Sequence, residues 1–291
     1  MRSVLLTLGI IFIYGCGLGS DNERSSRILI ENKGSDTIVN VAQAWAEAYS
    51  EIVPNVAVAV TGGGSGTGIS SMINGTVDIA NSSRKMRDSE LESARERGVD
   101  PIEFIVGYDA LAVFLHSDNP IEELSIAQLA DIYGENGTID TWDELGITVP
   151  GCPSNEIARV SRQNNSGTYA YFRETVLVDK EYKLGSRDMH GSKDVVDLVE
   201  NTPCAIGYSG LAYSTEHVKM VCVSTYVGEC VLPSVPTAVD GSYPIARPLF
   251  MYTAGQPEGV IADYMNWILG EVGQCIIVGK GYAPSQAVKC V

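Results

Sequence analysis

VTGGGSGTGISSMINGTVDIANSSR, residues 60–84, is the stretch on which the predicted fold depends. A short apolar run before it, residues 56–60, predicts a strand. After the glycines, apolar residues recur at the spacing of a short helix: Ile69, Met72 and Ile73. A second strand is predicted over residues 76–80, and it leads into Asn81, Ser82, Ser83 and Arg84. Two strand ends therefore deliver Gly- and Ser-rich loops to what we expect to be one place.

The same pattern of small polar residues before a helix occurs twice more. Residues 34–37 read GSDT and precede a helix predicted over 37–51; residues 165–168 read NSGT and precede a helical run over 169–176. Each junction alone is most simply an ordinary helix N-cap. A glycine-rich loop that enters a helix also presents free backbone N–H groups and the positive end of the helix dipole, which suit an anion. Three such junctions, two of them with an Arg nearby, favour a site for one small oxyanion.

Composition limits the possible partners. The chain has 291 residues, a formal net charge of -16 and an isoelectric point near 4.5, with 45% hydrophobic residues. This length is sufficient for two lobes. The acidity argues against nucleic acid, because no basic surface is available to release counterions. It also means that any attraction for an anion must be local, within a Debye length of about 8 Å.

The first residues are typical of an export signal. One Arg precedes an apolar run, residues 4–13, which is too short for a typical transmembrane helix. The run ends in Ile-Tyr-Gly-Cys, which resembles a bacterial lipoprotein box and would make Cys16 the lipid-modified residue. Plain secretion with cleavage near residues 17–20 is the alternative. We therefore expect residues 1–16 to be a signal peptide with a lipobox and residues 17–27 to be a polar tether.

Six cysteines remain after Cys16, and an even number in an exported chain predicts disulfides. Six cysteines allow fifteen pairings. Our expectation is two local pairs and one longer pair: Cys222–Cys230, Cys275–Cys290 and Cys152–Cys204. There is no C-x-x-C and there are only three His, so neither a metal cluster nor a cofactor is expected.

Strands and helices alternate along the rest of the chain, which predicts the α/β class. Two apolar runs, 102–106 and 110–116, suit buried strands. Residues 243–252 are apolar but contain Pro244 and Pro248, so they predict an edge or crossing segment, not a central strand. A helix is predicted over 258–269, and a further short strand over Ile276 and Ile277.

Six short motifs in a fixed order resemble the phosphate-binding proteins of phosphate ABC importers. They are GSDT (34–37), GGGSGTGI (62–69), NGTVDIANSSR (74–84), SRQNNSGTYAYF (161–172), TPCAIGY (202–208) and YPIARPL (243–249). The resemblance extends from about residue 28 to the C-terminus. It implies the type II periplasmic-binding-protein fold, in which two α/β lobes joined by two crossing strands hold the ligand between them. The crossings would fall near residues 107–110 and 243–247, with lobe 1 formed by 28–106 plus 245–291 and lobe 2 by 107–244.

The resemblance also implies a set of phosphate-binding residues, carried over at matching positions. The first three loops would supply Ser35, Asp36, Thr37, Ser65, Ser83 and Arg84, and lobe 2 would supply Arg162, Ser166, Gly167 and Thr168. Many members of the family carry Asp where this chain has Ser83, and a second Asp, which pairs with the Arg, is replaced by Asn164. The first Asp accepts the proton that phosphate keeps near neutral pH and repels sulfate. We hypothesise that Asp36 is the acceptor here.

The implied protein is an extracytoplasmic receptor, not an enzyme. It would be a monomer in the periplasm or on the outer face of a bacterial membrane, secreted or held by a lipid anchor only, and would deliver inorganic phosphate to the permease subunits of an ABC transporter. One alternative is a phosphatase or other hydrolase with Ser65 or Ser166 as nucleophile. However, Thr67 breaks G-x-S-x-G, and the His residues lie outside the motifs: His116, His190 and His217. A second alternative is a receptor for sulfate or molybdate on the same fold.

Overall fold

The computed structural model describes residues 27–225 and 229–290. The expected signal peptide, Cys16 and all of the tether except Arg27 lie outside the described residues. None of the helices within the described ranges is long and apolar enough to cross a membrane.

The described chain alternates strands and helices, as predicted, both before and after residue 150. The first part contains β1 (Ile28–Gly34), α1 (Val39–Ile52), β2 (Val56–Thr61), α2 (Ser65–Ile73), β3 (Ile79–Ser82), α3 (Asp88–Glu96), β4 (Ile102–His116), β5 (Glu123–Ser125), α4 (Ile126–Tyr133) and a 3-10 turn (Trp142–Leu145). The second part contains β6 (Ala158–Arg162), α5 (Gly167–Thr175), β7 (Arg187–Met189), α6 (Ser192–Glu200), β8 (Ala205–Gly210), a 3-10 turn (Leu211–Tyr213), β9 (Val218–Met220), β10 (Cys222–Ser224), α7 (Val235–Val239), β11 (Ala246–Thr253), α8 (Gly259–Leu269), α9 (Glu271–Gly279) and β12 (Ala283–Pro284).

One mixed sheet runs through the molecule in the order β2-β1-β3-β11-β4-β8-β6-β7, and β9 and β12 pair with β4 beside this path. At one end β1 is parallel to both β2 and β3; at the other, β6 is parallel to both β7 and β8. Between them β11 and β4 run antiparallel to their neighbours. Two parallel half-sheets are therefore joined through two antiparallel strands.

The long strand β4 connects these half-sheets. Its first half pairs with β11, from Ile102 opposite Thr253 to Ala110 opposite Ala246. Its second half pairs with β8, beginning at Leu111 opposite Gly210. The two apolar runs predicted as separate strands are thus one continuous strand, because Gly107, Tyr108 and Asp109 also keep extended pairing with β11.

The prediction that residues 243–252 avoid a central position is wrong. β11 lies between β3 and β4, in the middle of the sheet. The sheet tolerates Pro248 because β3 pairs with β11 only from Phe250 to Thr253, so Pro248 faces no β3 partner, and a register shift follows it at Leu249/Phe250.

Helices pack on the sheet through the apolar faces that the sequence predicted. Helix α1 buries Val41, Ala42, Trp45 and Tyr49, and the Trp45 indole donates a hydrogen bond of 2.7 Å to the carbonyl of Gly273. One apolar core draws on residues 30–106 and 249–282 and a second on residues 110–245 together with Ala283, and one smaller apolar cluster lies within each of these two sets of residues. The two cores follow the two half-sheets.

The C-terminal region differs from the prediction. Ile276 and Ile277 belong to α9, whose buried face includes Gly273, Gln274 and Ile277. A short apolar run has no periodicity that separates a strand from a buried helix, so the sequence signal was ambiguous there.

The disulfides match the expected pairing: Cys152–Cys204, Cys222–Cys230 and Cys275–Cys290.

Candidate functional site

Five hydroxyl groups from distant parts of the chain meet in the interior. Their residues are at most 1% exposed: Ser35, Thr37, Ser65, Ser83 and Thr168. The Ser35 hydroxyl donates to Ser83 Oγ at 3.0 Å, and Ser65 Oγ lies 3.4 Å from Ser83 Oγ. Thr37 Oγ1 lies 3.0 Å from Thr168 Oγ1. We call these five side chains the hydroxyl cluster.

The sheet brings the first three loops to this point. β1 and β3 are parallel neighbours, so their carboxyl ends meet at one edge of the sheet. The Ser35 amide donates to the carbonyl of Asn81 at 2.9 Å. A Cβ on Gly34 would lie 2.1 Å from the same carbonyl oxygen, so only glycine permits this approach. The amide of Ser83 in turn donates to Ser65 Oγ at 3.0 Å, which fixes the start of α2 against the end of β3.

Helix α5 brings the fourth loop, which precedes it in the chain, to the hydroxyl cluster. Ser166 caps it, and its Oγ accepts from the amides of Thr168 at 3.1 Å and Tyr169 at 3.4 Å. Gly167 packs directly on the cluster: a Cβ there would lie 2.3 Å from Ser65 Oγ and 2.5 Å from Ser83 Oγ. The positive end of the α5 dipole therefore points at the hydroxyl groups.

A buried ion pair that the sequence analysis did not assign to the site lies against the cluster. Arg247 Nη2 donates to Thr37 Oγ1 at 3.2 Å and to Thr168 Oγ1 at 3.0 Å. Its Nε and Nη2 also donate to Asp109 Oδ2, at 3.2 and 2.8 Å. The two side chains are 1% and 0% exposed. Burial raises the pKa of Asp109, and the charge of Arg247 opposes that shift.

The sequence does contain a signal for this pair. Asp109 and Arg247 are each the only charged residue in a long apolar segment, residues 104–115 and 243–252. A charge in a strand buried on both sides needs a partner. Pairing between the two predicted crossing segments through Asp109 and Arg247 could therefore have been predicted from the sequence.

Arg162 lies at the end of β6 and reaches across to the first loop. Its Nη2 donates to Asp36 Oδ2 at 3.2 Å and to the carbonyl of His190 at 2.8 Å, and its Nη1 donates to Ser192 Oγ at 2.9 Å. Asp36 Oδ1 accepts from the amide of Gly63 at 2.9 Å. Burial lowers the pKa of Arg162, and the carboxylate of Asp36 opposes that shift.

The structure does not bring the Arg84 guanidinium into the hydroxyl cluster. It binds both carboxylate oxygens of Glu90, at 2.7 and 2.8 Å, and the carbonyl of Lys85 at 2.8 Å. Glu90 is in the first turn of α3, so Arg84 holds that helix against the third loop.

The glycine-rich loop before α2 contacts the α5 loop. The amide of Gly66 donates to the carbonyl of Asn165 at 3.0 Å, and the Asn165 side chain donates back to the carbonyl of Gly63 at 3.0 Å. The loop thus joins the two half-sheets, and the N–H of Gly66 is already used in that contact. Asn164 is exposed next to it.

Comparisons with known proteins identify the family of this chain. A family model described as "PBP superfamily domain" matches residues 21–272. The phosphate-binding protein PstS of Pseudomonas aeruginosa is 33% identical over 270 residues, which cover 89% of this chain and 83% of that protein. The chain belongs to the PBP superfamily, among its PstS-like phosphate-binding proteins. Protein SphX of Synechococcus elongatus is 32% identical over 262 residues, covering 86% of this chain and 76% of that protein.

Solved structures identify the fold of this PstS-like chain. A Clostridium perfringens protein, assigned as a phosphate ABC transporter substrate-binding protein and solved with bound phosphate, aligns with a TM-score of 0.77 at 27% identity, covering 89% of this chain and 100% of that chain. An ABC-type phosphate transport receptor from Vibrio cholerae aligns at 0.68, with 23% identity over 87% of this chain and 99% of that chain. The chain has the type II periplasmic-binding-protein fold.

Proposed function

We propose that this protein is an extracytoplasmic receptor that captures inorganic phosphate between two lobes and delivers it to the permease of an ABC importer. One observation carries the proposal. In a chain of the PstS-like family, hydroxyl groups from four separate loops converge on one buried point beside two buried arginines. The Pseudomonas aeruginosa relative is a phosphate-binding protein, and the Clostridium perfringens structure contains bound phosphate, which supports phosphate as the ligand.

The chemistry of the hydroxyl cluster suits a tetrahedral oxyanion. A buried dianion is costly unless its oxygens accept hydrogen bonds. A hydroxyl group can rotate, so each of the five that now bind one another can turn its O–H toward an anion. In our proposal these hydroxyls, the Ser166 and Gly167 segment at the start of α5, and the guanidinium groups of Arg162 and Arg247 form the binding set. Charge-assisted bonds from the guanidinium groups would be the strongest of these.

Selection of phosphate over sulfate requires an acceptor for the phosphate proton. We retain Asp36 for this role. Its carboxylate is 12% exposed at the side chain and lies in the same loop as Ser35 and Thr37, beside Arg162. A protonated phosphate oxygen would donate to this carboxylate, whereas a sulfate would place like charges in contact. An unmatched buried polar group can lower binding by orders of magnitude.

The lobes are proposed to be residues 28–106 with 245–291, and residues 107–244. The separation of the two apolar cores supports this division, as does the passage of β4 and β11 between the half-sheets. Closure would be a hinge motion about these two strands, and the permease would recognise the closed form.

A hydrolase is less well supported than a receptor. Among the described residues, no hydrogen bond joins an imidazole to the hydroxyl cluster. His190 Nδ1 lies 3.2 Å from Gln163 Oε1, His116 accepts from the amide of Asp118, and His217 is 60% exposed beside Glu216. A serine nucleophile needs an adjacent general base, which these positions do not provide.

Residues 1–16 are proposed to direct export, with Cys16 as the lipid anchor. The receptor is proposed to be a monomer.

Isothermal titration tests the proposal. Purified protein, freed of bound anion by unfolding and refolding, would be titrated with phosphate, arsenate and sulfate. We expect tight binding of phosphate and arsenate and weak binding of sulfate. Tight sulfate binding without phosphate binding would show that the ligand is another oxyanion and would refute phosphate as the ligand. Release of phenolate from a chromogenic phosphate ester by the protein would favour the hydrolase.

A further inference from the structure

Two adjoining cavities lead from the surface to the hydroxyl cluster. The inner cavity, about 210 Å³, is lined at its deep end by Ser83 and Arg247 and farther out by Arg84, Lys85 and Glu174. The outer cavity, about 450 Å³, shares the last three of these residues. Together they form one passage from the solvent to two members of the site.

The passage lies at the boundary between the proposed lobes. One wall is the segment from Ser83 to Asp88, which connects β3 to α3 in lobe 1. The opposite wall is α5 of lobe 2, through Tyr171 and Glu174. Any opening between the lobes on this side would widen the passage.

Tyr171 lines the inner cavity next to Arg247 of the ion pair. The Arg247 guanidinium lies 5.6 Å from the centre of the Tyr171 ring, within the range of a cation–π contact. The Tyr171 hydroxyl donates to the carbonyl of Ala246 at 2.5 Å, which anchors the ring on β11. An anion that moves inward along this wall would therefore reach Arg247 directly.

The charged side chains along the passage differ in whether they have an ion-pair partner. Arg84 is paired with Glu90, and Arg173, which lines the outer cavity, is paired with Glu181 at 2.6 Å. Lys85 is exposed, and within the described part of the chain no carboxylate lies within ion-pair distance of it. Glu174, also exposed, faces the same two cavities. The outer cavity is also lined by Arg87, Asp88 and Asp179, but within the described part of the chain Lys85 and Glu174 are the exposed charges without an ion pair that line both cavities.

We propose that this passage is the route by which phosphate enters and that Lys85 guides the anion into it. The inference rests on the proposed function, because it takes phosphate as the ligand. A chain with a net charge of -16 repels anions at long range, so a local cation at the entrance raises the rate of capture. Lys85 makes no side-chain hydrogen bond to the hydroxyl cluster, so it changes the association rate more than the dissociation rate.

The experiment measures the association rate constant of phosphate by rapid filtration with radiolabelled phosphate. A charge about 8 Å from a dianion in water changes the encounter rate by roughly two- to fivefold. We expect Lys85→Gln to lower the association rate by this factor at about 0.01 M salt and Glu174→Gln to raise it. At about 1 M salt, where the Debye length is roughly 3 Å, both effects vanish.

Lys219→Gln is the matched control, because Lys219 lies on β9, binds Glu122 and lines neither cavity. Equal effects of Lys85→Gln and Lys219→Gln would overturn the inference, and so would a slower dissociation or a faster association in Lys85→Gln. Wild-type protein that binds no phosphate would instead refute the proposed function, so the two failures are distinguishable. Circular dichroism of each variant confirms that it is folded before its rates are compared.

Discussion

Replacing Arg247 with Met should separate the structural and the binding roles of the buried ion pair. Arg247 is 1% exposed and donates twice to Asp109, which is 0% exposed. The substitution leaves the carboxylate buried without its counter-charge, and removal of one member of a buried pair costs about 3–5 kcal/mol of unfolding free energy. The double substitution Arg247→Met with Asp109→Leu removes both charges and should recover most of that loss, because apolar replacement of a buried pair is often neutral.

Phosphate affinity, unlike the free energy of unfolding, should not recover in the double variant. Arg247 Nη2 contacts Thr37 and Thr168, and a charged hydrogen bond contributes about 1.5–3 kcal/mol. Both variants should therefore bind phosphate roughly 10- to 150-fold more weakly. Urea unfolding measures the stability and calorimetry measures the affinity. Full affinity in the stable double variant would refute the assignment of Arg247 to the site.

The pH dependence provides an internal check on this interpretation. Burial raises the pKa of Asp109 above its unfolded value, and Arg247 opposes the shift. A group whose folded pKa is raised destabilises the protein when ionised, and this cost is relieved as the pH falls through the folded pKa. Without Arg247 the pKa of Asp109 should rise further. The stability difference between wild type and Arg247→Met should therefore be largest near neutral pH and should shrink on acidification; a constant difference would contradict the role of Asp109.

Three further experiments test the remaining assignments. Asp36→Asn should raise the sulfate affinity relative to phosphate in calorimetric competition, and a retained preference for phosphate would exclude Asp36 as the acceptor. Gly167→Ala should weaken phosphate binding by about 5- to 150-fold, because overpacking costs about 1–3 kcal/mol where a Cβ has no space. Gly279→Ala, where a Cβ would meet nothing within 4 Å, should leave the affinity unchanged. Replacing both Cys152 and Cys204 with Ala should cost about 4 kcal/mol in urea unfolding, since that disulfide closes a 52-residue loop, and a loss below about 1 kcal/mol would argue that the bond is dispensable.

The α/β alternation and the loops of the site could be predicted because their signals are local. Ser35, Ser65 and Thr168 each lie where a strand end or a glycine turn enters a helix, and the structure brings them together. The central position of β11 could not be predicted from a local rule. Pro248 argued for an edge, but the pairing of β3 stops before it, and that fact depends on strands distant in the sequence.

The partners of charged residues were the least predictable feature, because each depends on tertiary packing. Arg84 follows Ser83 directly and was expected at the ligand, yet Glu90 at the start of α3 binds it in a bidentate pair. Arg247 was noted only as part of a crossing segment, although it contacts Thr37 and Thr168 directly. The position of a charge in the sequence shows that it needs a partner, but not whether a carboxylate or a ligand will be that partner.

The charge balance of the site indicates how an acidic protein can bind an anion. The two arginines nearest the hydroxyl cluster are each paired with a carboxylate, Arg162 with Asp36 and Arg247 with Asp109, so these four side chains are formally neutral together. Net positive charge therefore cannot be the main source of affinity. Donors held at contact distance, namely the hydroxyl groups, the helix-end amides and the two guanidinium groups, would stabilise the anion where salt screens little. In our proposal the attraction at a distance comes from Lys85 at the entrance, which would affect the rate of capture, while the buried cluster would determine the affinity.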